Sequence, residues 1–269
     1  MNNAKFGFIG VGNMGAALAR AVAKTVAGNE IILANRSSSK AEVLAYELKC
    51  NSADNITVAA NCRFIFLGVK PQMLKSMLSG IAPVLAKRND HFVLVSMAAG
   101  VTVSSIKELA GGAYPVIRIM PNTPVSNGNG MIVYSVGHNV FEDDLYEFTS
   151  ALKFAGKLDR IDESLIDAAS AISGCGPAFV YMFAEAIADG GVKCGLPRSK
   201  AIEYAAQTIF GSASLIQSSG KHVGQLKDEV CSPAGSTIEG VKTLEDSGFR
   251  SAVFNAVTAA FERTKELGK

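Results

Sequence analysis

The chain has 269 residues, 48% hydrophobic and 19% charged, a composition that folds around a core and excludes disordered and fibrous classes. Its formal net charge is only +2, and the Lys and Arg residues are scattered, so there is no basic stripe for a phosphate backbone and nucleic acid is not an expected partner. The five cysteines, Cys50, Cys62, Cys175, Cys194 and Cys231, form no C-x-x-C pair, and a chain this long needs no disulfide staples, so reduced thiols in a cytoplasmic protein are expected.

Met1–Lys5 has no basic n-region, and the apolar run Phe6–Val11 is interrupted by Gly7 and Gly10, which does not read as a signal peptide. No run approaches the ~18 apolar residues of a membrane helix, so no membrane association is expected.

From Lys5 to about Arg160, short β-rich apolar runs alternate with helical patterns, the signature of βαβ units and a parallel sheet. Strands are expected at 5–10, 30–35, 64–69, 92–96, 116–120 and 131–136, with a weak one at 51–54 included only because the topology requires it. Helices are expected at 13–27, 38–49, 72–87, 104–110 and 142–152. After Ile161 the strand signal ends, and Gly or Pro punctuates a series of Ala-rich helical stretches: 164–173, 178–189, 198–219, 221–230, 236–246 and 249–267. The expected fold class is α/β, a Rossmann-type parallel-sheet domain over 1–160 followed by an all-helical domain over 161–269. Phe179–Ala188 is apolar over most of its circumference, broken mainly by Glu185, and such a helix is expected to be buried, here against another subunit.

Gly10-Val11-Gly12-Asn13-Met14-Gly15 is a G-x-G-x-x-G run directly after an apolar strand and before a helix. The first glycine permits the tight turn, the second the approach of a pyrophosphate, and the third close packing of helix on strand. Asn35 stands twenty residues after Gly15, where an NAD-specific fold carries an acid for the ribose 2′-hydroxyl. No acid is present. Asn35-Arg36-Ser37 instead suits a 2′-phosphate, because a guanidinium offers a planar fork of donors, so NADPH is the expected cofactor and NADH the weaker alternative. A polar cap for the next helix, from Ser37 or Ser38, is the other use of this turn.

Several further stretches are distinctive: Leu67-Gly68-Val69-Lys70-Pro71, Met120-Pro121-Asn122-Thr123-Pro124, Ser173-Gly174-Cys175-Gly176-Pro177-Ala178, and the tract from Gln225 through Ser232-Pro233-Ala234-Gly235-Ser236-Thr237 to Arg250. With these motifs the chain resembles, from about residue 5 to residue 267, the pyrroline-5-carboxylate reductases, the NAD(P)H enzymes that form proline. The resemblance implies that Val69, Lys70 and Pro71 with Ala98, Ala99 and Gly100 line the nicotinamide half of the cofactor, and that Asn55 meets the adenosine. It also implies a homodimer or larger homo-oligomer whose helical domain completes the active site.

The substrate implied is 1-pyrroline-5-carboxylate, a cyclic imine bearing a carboxylate. The resemblance assigns its anion grip to Ser232, Gly235, Ser236 and Thr237, and sets Glu163 and Ser173 near the ring, with Ser173 and Thr237 as the catalytic residues. A Pro/Gly-rich turn opening into a helix also exposes backbone donors that make an anion nest, while Ser236-x-x-Glu239 reads as a capping box. Ala234 stands where the family often has glycine, and Glu229 where some members carry a neutral side chain. His91, His138 and His222 lie apart, without metal-ligand spacing, and surface or structural roles are expected for them. No metal is expected, and no evident protein acid lies beside the site. Two rivals fit less well. A β-hydroxyacid dehydrogenase would carry a lysine where Ala178 follows Gly174, and a non-catalytic dinucleotide sensor would not need the 232–237 tract.

Overall fold

The computed structural model describes residues 4–267, so Met1–Asn3 of the N-terminal reading lie outside the described residues. Eight strands form one sheet in the order β3-β2-β1-β4-β5-β6-β7-β8. They are β1 (Phe6–Ile9), β2 (Ile31–Ala34), β3 (Asn51–Ser52), β4 (Phe64–Leu67), β5 (Val93–Ser96), β6 (Val116–Pro121), β7 (Gly130–Val136) and β8 (Gly156–Arg160). Helices α1 (Asn13–Val22), α2 (Ser38–Leu48), α3 (Asn55–Asn61), α4 (Pro71–Leu85), α5 (Val103–Ala110), α6 (Glu142–Ala151) and α7 (Ile166–Ser173) accompany it.

The central strands are buried at every position, which is why they read as continuous apolar runs rather than alternating ones. Strand order reverses between β1 and β4. There, two in-register pairs stack, Phe6 on Phe64 with centroids 5.3 Å apart and Phe8 on Phe66 at 4.5 Å. Such pairs contribute roughly 0.5–1.5 kcal/mol each beyond the area they bury.

The sheet departs from the expected all-parallel arrangement. Strand β7 runs antiparallel to β6, because residues 122–129 form a short link with a 3-10 turn at Thr123–Asn127 and left-handed Gly128, too short for a crossover. Two elements were not expected. Strand β8, parallel to β7, is an edge with Leu158 as its only large apolar residue, and α3 is a short helix capped by Asp54, whose carboxylate accepts the Thr57 N–H at 2.7 Å. Helix α1 stops at Val22 rather than 27.

The chain divides into two compact units, one running to Cys175 and taking in the chain from Ala260 onward, the other Gly176–Ala259. The sheet unit takes in α7, whose Ile166 packs with Met120 and Val133 of β6 and β7. The second unit contains α8 (Gly176–Lys193), α9 (Arg198–Ser219), α10 (Val223–Glu229), α11 (Ser236–Asp246) and most of α12 (Phe249–Leu267).

Within that unit, burial is confined to small residues: Ala188, Ala201 and Ala205 pack together, and a Cβ on Gly191 would meet Ala201 at 3.3 Å. The expected burial of Phe179–Ala188 does not occur within one chain, where Tyr181 and Met182 are 61% and 70% exposed. By length and average composition Glu163–Lys193 is long and apolar enough to cross a bilayer, its many alanines raising the average, although it holds no unbroken run of ~18 apolar residues.

Candidate functional site

Three glycines interlock where β1 and β4 end. Gly10 has φ +98°, and a Cβ there would lie 2.6 Å from the Gly68 carbonyl oxygen. A Cβ on Gly15 or Gly68 would meet the Gly10 oxygen at 2.1 or 2.3 Å. These positions are closed to any side chain. Gly12 is the opposite case, with nothing within 4 Å of the place a Cβ would occupy. It caps α1 without a side-chain hydrogen bond and no acid sits in the first turn, so the helix N-terminus presents unshared N–H groups toward that space. This is the cradle a pyrophosphate requires.

Gly10 and Gly12 open onto a cavity of about 910 Å³, which also gathers Asn35, Arg36 and Ser37 from the end of β2, Asn55 from α3, and Val69 and Lys70 after β4. Of the other residues expected at the cofactor, Asn13 is exposed beside the turn, Val11 and Gly15 are buried beneath it, and Met14 packs on the core. Pro71, Ala98, Ala99 and Gly100 do not line this cavity. Pro71 begins α4 just after Lys70, and 98–100 follow β5 on the same carboxyl edge of the sheet, where ligands of open α/β folds bind.

Asn35 is committed within the protein. Its Oδ1 accepts the Val11 N–H at 3.2 Å, and its Nδ2 donates to the Ser37 carbonyl at 3.2 Å. Ser37 stands at the N-cap of α2 without a side-chain cap bond, and its hydroxyl pairs with that of Ser39 at 3.0 Å, so neither serine is spent on capping. Arg36 makes no ion pair among the described residues, and neither does Lys40, a cavity residue that the sequence reading did not single out. Lys40 lies in the first turn of α2, where a lysine on an exposed helix start carries no signal of its own in the sequence. Asp54, also on the cavity, has its carboxyl held below the usual range by hydrogen bonds from Thr57.

Ser173 and Glu163 belong to the sheet unit. The Ser173 hydroxyl donates to the Ala169 carbonyl at 2.9 Å, and the Ser173 carbonyl accepts from Asn122 Nδ2 at 2.9 Å. Asn122 Oδ1 in turn accepts the Met131 N–H at 2.9 Å, so the Met120–Pro124 motif fixes the end of α7. Glu163 Oε1 accepts the Val103 N–H at 2.6 Å.

Ser232–Thr237 belongs to the helical unit. The Gly235 N–H closes a turn onto the Ser232 carbonyl at 3.0 Å, and a Cβ on Gly235 would lie 2.3 Å from Ser232 Oγ. Ala234 is held at φ +56°, a left-handed position that favours glycine. The expected capping box is absent. Gly235, not Ser236, occupies the N-cap of α11, because the turn brings an extended glycine there and makes Ser236 the first helical residue. Ser232, Ser236 and Thr237 are exposed, and the first-turn N–H groups have no side-chain cap. The segment therefore offers both backbone and hydroxyl donors, a set that suits a carboxylate.

Two of the histidines take structural positions, and His138 is exposed. His91 Nε2 lies 2.8 Å from buried Asp144, and His222 Nδ1 accepts the Gly224 N–H at 3.1 Å at the start of α10. No group of three or more metal-ligating side chains occurs among the described residues.

Comparison with known proteins agrees with this layout. Residues 163–267 match the family model for pyrroline-5-carboxylate reductase dimerisation, and residues 5–100 match that of the coenzyme F420-dependent NADP oxidoreductases. The chain is 39% identical over 267 residues to pyrroline-5-carboxylate reductase of Pisum sativum, covering 97% of this chain and 95% of that one. It is 38% identical over 268 residues to the Escherichia coli K12 enzyme of the same name, with 98% of each covered. The crystal structure of Plasmodium falciparum pyrroline carboxylate reductase with NADP bound superimposes over 100% of both chains, with TM-score 0.89 and 35% identity.

Proposed function

The chain belongs to the pyrroline-5-carboxylate reductase family, and on that premise we propose that it reduces 1-pyrroline-5-carboxylate to proline with NADPH, the last step of proline formation. The observation that carries this reading is the presence, on one chain, of a dinucleotide cavity beside an unpaired Arg36 and Lys40 and of an uncapped donor turn at Ser232–Thr237. It is an oxidoreductase acting on a C=N bond. Bound NADPH supplies a hydride to the imine carbon, the ring nitrogen takes a proton, and proline and NADP+ result.

Each residue then has a task. Gly12 and the α1 N-terminus hold the pyrophosphate, Arg36 with Ser37 takes the 2′-phosphate, and Asn55 faces the adenosine. Val69–Pro71 and Ala98–Gly100 set the nicotinamide. Ser232, Gly235, Ser236 and Thr237 grip the carboxylate, and Ser173 and Glu163 stand by the ring. A protonated imine is already electrophilic, so positioning supplies much of the rate, on the order of 7–11 kcal/mol in ideal model systems.

The protein is a homo-oligomer assembled through its helical unit, which carries the dimerisation match and the exposed apolar face of α8. The five free thiols suit a reducing cytoplasm, which we propose as its location. The decisive assay follows NADPH absorbance with the purified protein and 1-pyrroline-5-carboxylate, beside 3-hydroxyacids with NADP+. Oxidation of the hydroxyacids alone would overturn the reading.

A further inference from the structure

Ser96, Arg118 and Ser135 stand in register across β5, β6 and β7, and all three are buried. A polar row inside a sheet is costly unless its groups find partners. Arg118, 2% exposed, donates from Nη2 to Asp167 Oδ1 at 2.6 Å, and its Nη1 lies 3.5 Å from Glu163 Oε1. That glutamate oxygen is the one that accepts the Val103 N–H, at the first residue of α5. Beside Arg118 on β5, Ser96 Oγ accepts the Ala98 N–H at 3.4 Å.

The segment 97–102 is thus tied down at both ends by one buried polar row, directly by Ser96 and, through Glu163, by Arg118. Between the anchors Gly100 takes a left-handed φ of +74°. A buried ion pair contributes little to stability compared with apolar packing of the same volume, so stability alone gives no reason for a guanidinium here. The fixed geometry of its fork does.

We propose that Arg118 is a positioning residue for the reductase: acting through Glu163, it fixes the 97–102 segment and with it the nicotinamide half of the cofactor site. The inference rests on the reading of Ala98–Gly100 as the lining of that half. Asn35–Lys40, which reads the adenosine end, lies after β2 on the other side of the switch point. The two halves can therefore be probed separately.

The test compares binding of NADPH with binding of 2′,5′-ADP, which reports the adenosine end alone, in full-length Arg118→Met, Arg118→Lys and Glu163→Ala proteins. Arg118→Met should raise the NADPH Kd and lower kcat by about tenfold each, as loss of one charge-assisted anchor implies, while 2′,5′-ADP binding stays within about twofold. Glu163→Ala should reproduce the NADPH effect, the double variant should be no worse than either single one, and Arg118→Lys should recover part of the loss.

The proposal fails if Arg118→Met binds NADPH normally, if 2′,5′-ADP weakens as much as NADPH, or if the two substitutions add. Should Arg118→Met not fold, Glu163→Ala makes the same comparison at a side chain 36% exposed, and an unchanged NADPH Kd there is equally fatal. Neither binding arm uses an imine, so a wild-type protein inactive on 1-pyrroline-5-carboxylate would sink the functional reading and leave this test standing.

Discussion

The side chain of Asn35 joins the end of β2 to the backbone of Val11 in the glycine turn, accepting its N–H at 3.2 Å. With its amide also donating to the Ser37 carbonyl, Asn35 shapes the turn, and the charge that would meet a 2′-phosphate falls to Arg36 and Lys40. A charge-assisted contact is worth ~1.5–3 kcal/mol, so Arg36→Asp should weaken NADPH by about 10- to 150-fold and leave NADH nearly unchanged. Fluorescence titration with both cofactors checks this, and an unaltered NADPH/NADH ratio would show that Arg36 does not read the phosphate.

At the donor turn, Thr237→Val keeps the β-branched shape and removes one hydroxyl. If that hydroxyl meets the substrate carboxylate, KM for the imine should rise about 10- to 150-fold with NADPH affinity unaffected. Because Gly235 rather than Ser236 occupies the N-cap, Ser236→Ala should change stability by less than ~0.5 kcal/mol, well short of the loss of a cap. Steady-state kinetics and a thermal melt separate the two effects.

The neighbouring Ala234 should respond in the stabilising direction. At φ +56° an L-residue with a Cβ carries strain of ~1–2 kcal/mol, from which the greater unfolded-state freedom of glycine takes back ~0.4–1, so Ala234→Gly should gain up to about 1.6 kcal/mol in urea denaturation. A loss of stability would mean that the turn relaxes in solution.

Asp144 is fully buried at the start of α6, where it accepts from Arg63 at 2.9 Å, from the Phe141 N–H at 2.9 Å, and lies against His91. Burial pushes its carboxyl upward, but the Phe141 N–H, His91 and Arg63 together outweigh burial and hold it below the usual carboxylate range. A depressed folded value means that its contribution is present above the unfolded pKa of about 3.9 and is lost as pH falls through the lower folded value. Asp144→Asn should cost about 1.5–3 kcal/mol at neutral pH and give a flatter stability curve in acid. Equal acid slopes in the two proteins would rule Asp144 out as the titrating group.

The histidines supply a mechanistic control. If the imine arrives protonated or takes its proton from solvent, His91→Ala, His138→Ala and His222→Ala should each keep most of kcat. A loss of a hundredfold or more in one folded variant would overturn that mechanism.

Helices α9 and α11 were legible to the residue at both ends and α12 at its start, because Pro197, Gly220, Pro233 and Gly248 punctuate them. The strands flanking the switch point were readable from their short apolar runs, with ends one or two residues inside those expected. What escaped was set by partners distant in the chain. Gly156-Lys-Leu-Asp-Arg becomes β8 only because β7 offers an edge, and the Glu163–Val103 bond joins residues whose separation in sequence holds no pattern. Lys40 escaped for a different reason: a lysine at an exposed helix start is ordinary until the cavity beside it is seen.

The apolar surface that α8 leaves open ties the energetics of this enzyme to its own amount. Where folded chains are stabilised by pairing, mass action makes the melting temperature climb with protein concentration, and dilution alone draws the population toward unfolding. Tyr181 and Met182 are presented to water in a lone chain, so covering them in a homo-oligomer would tie stability to how much of the chain is present.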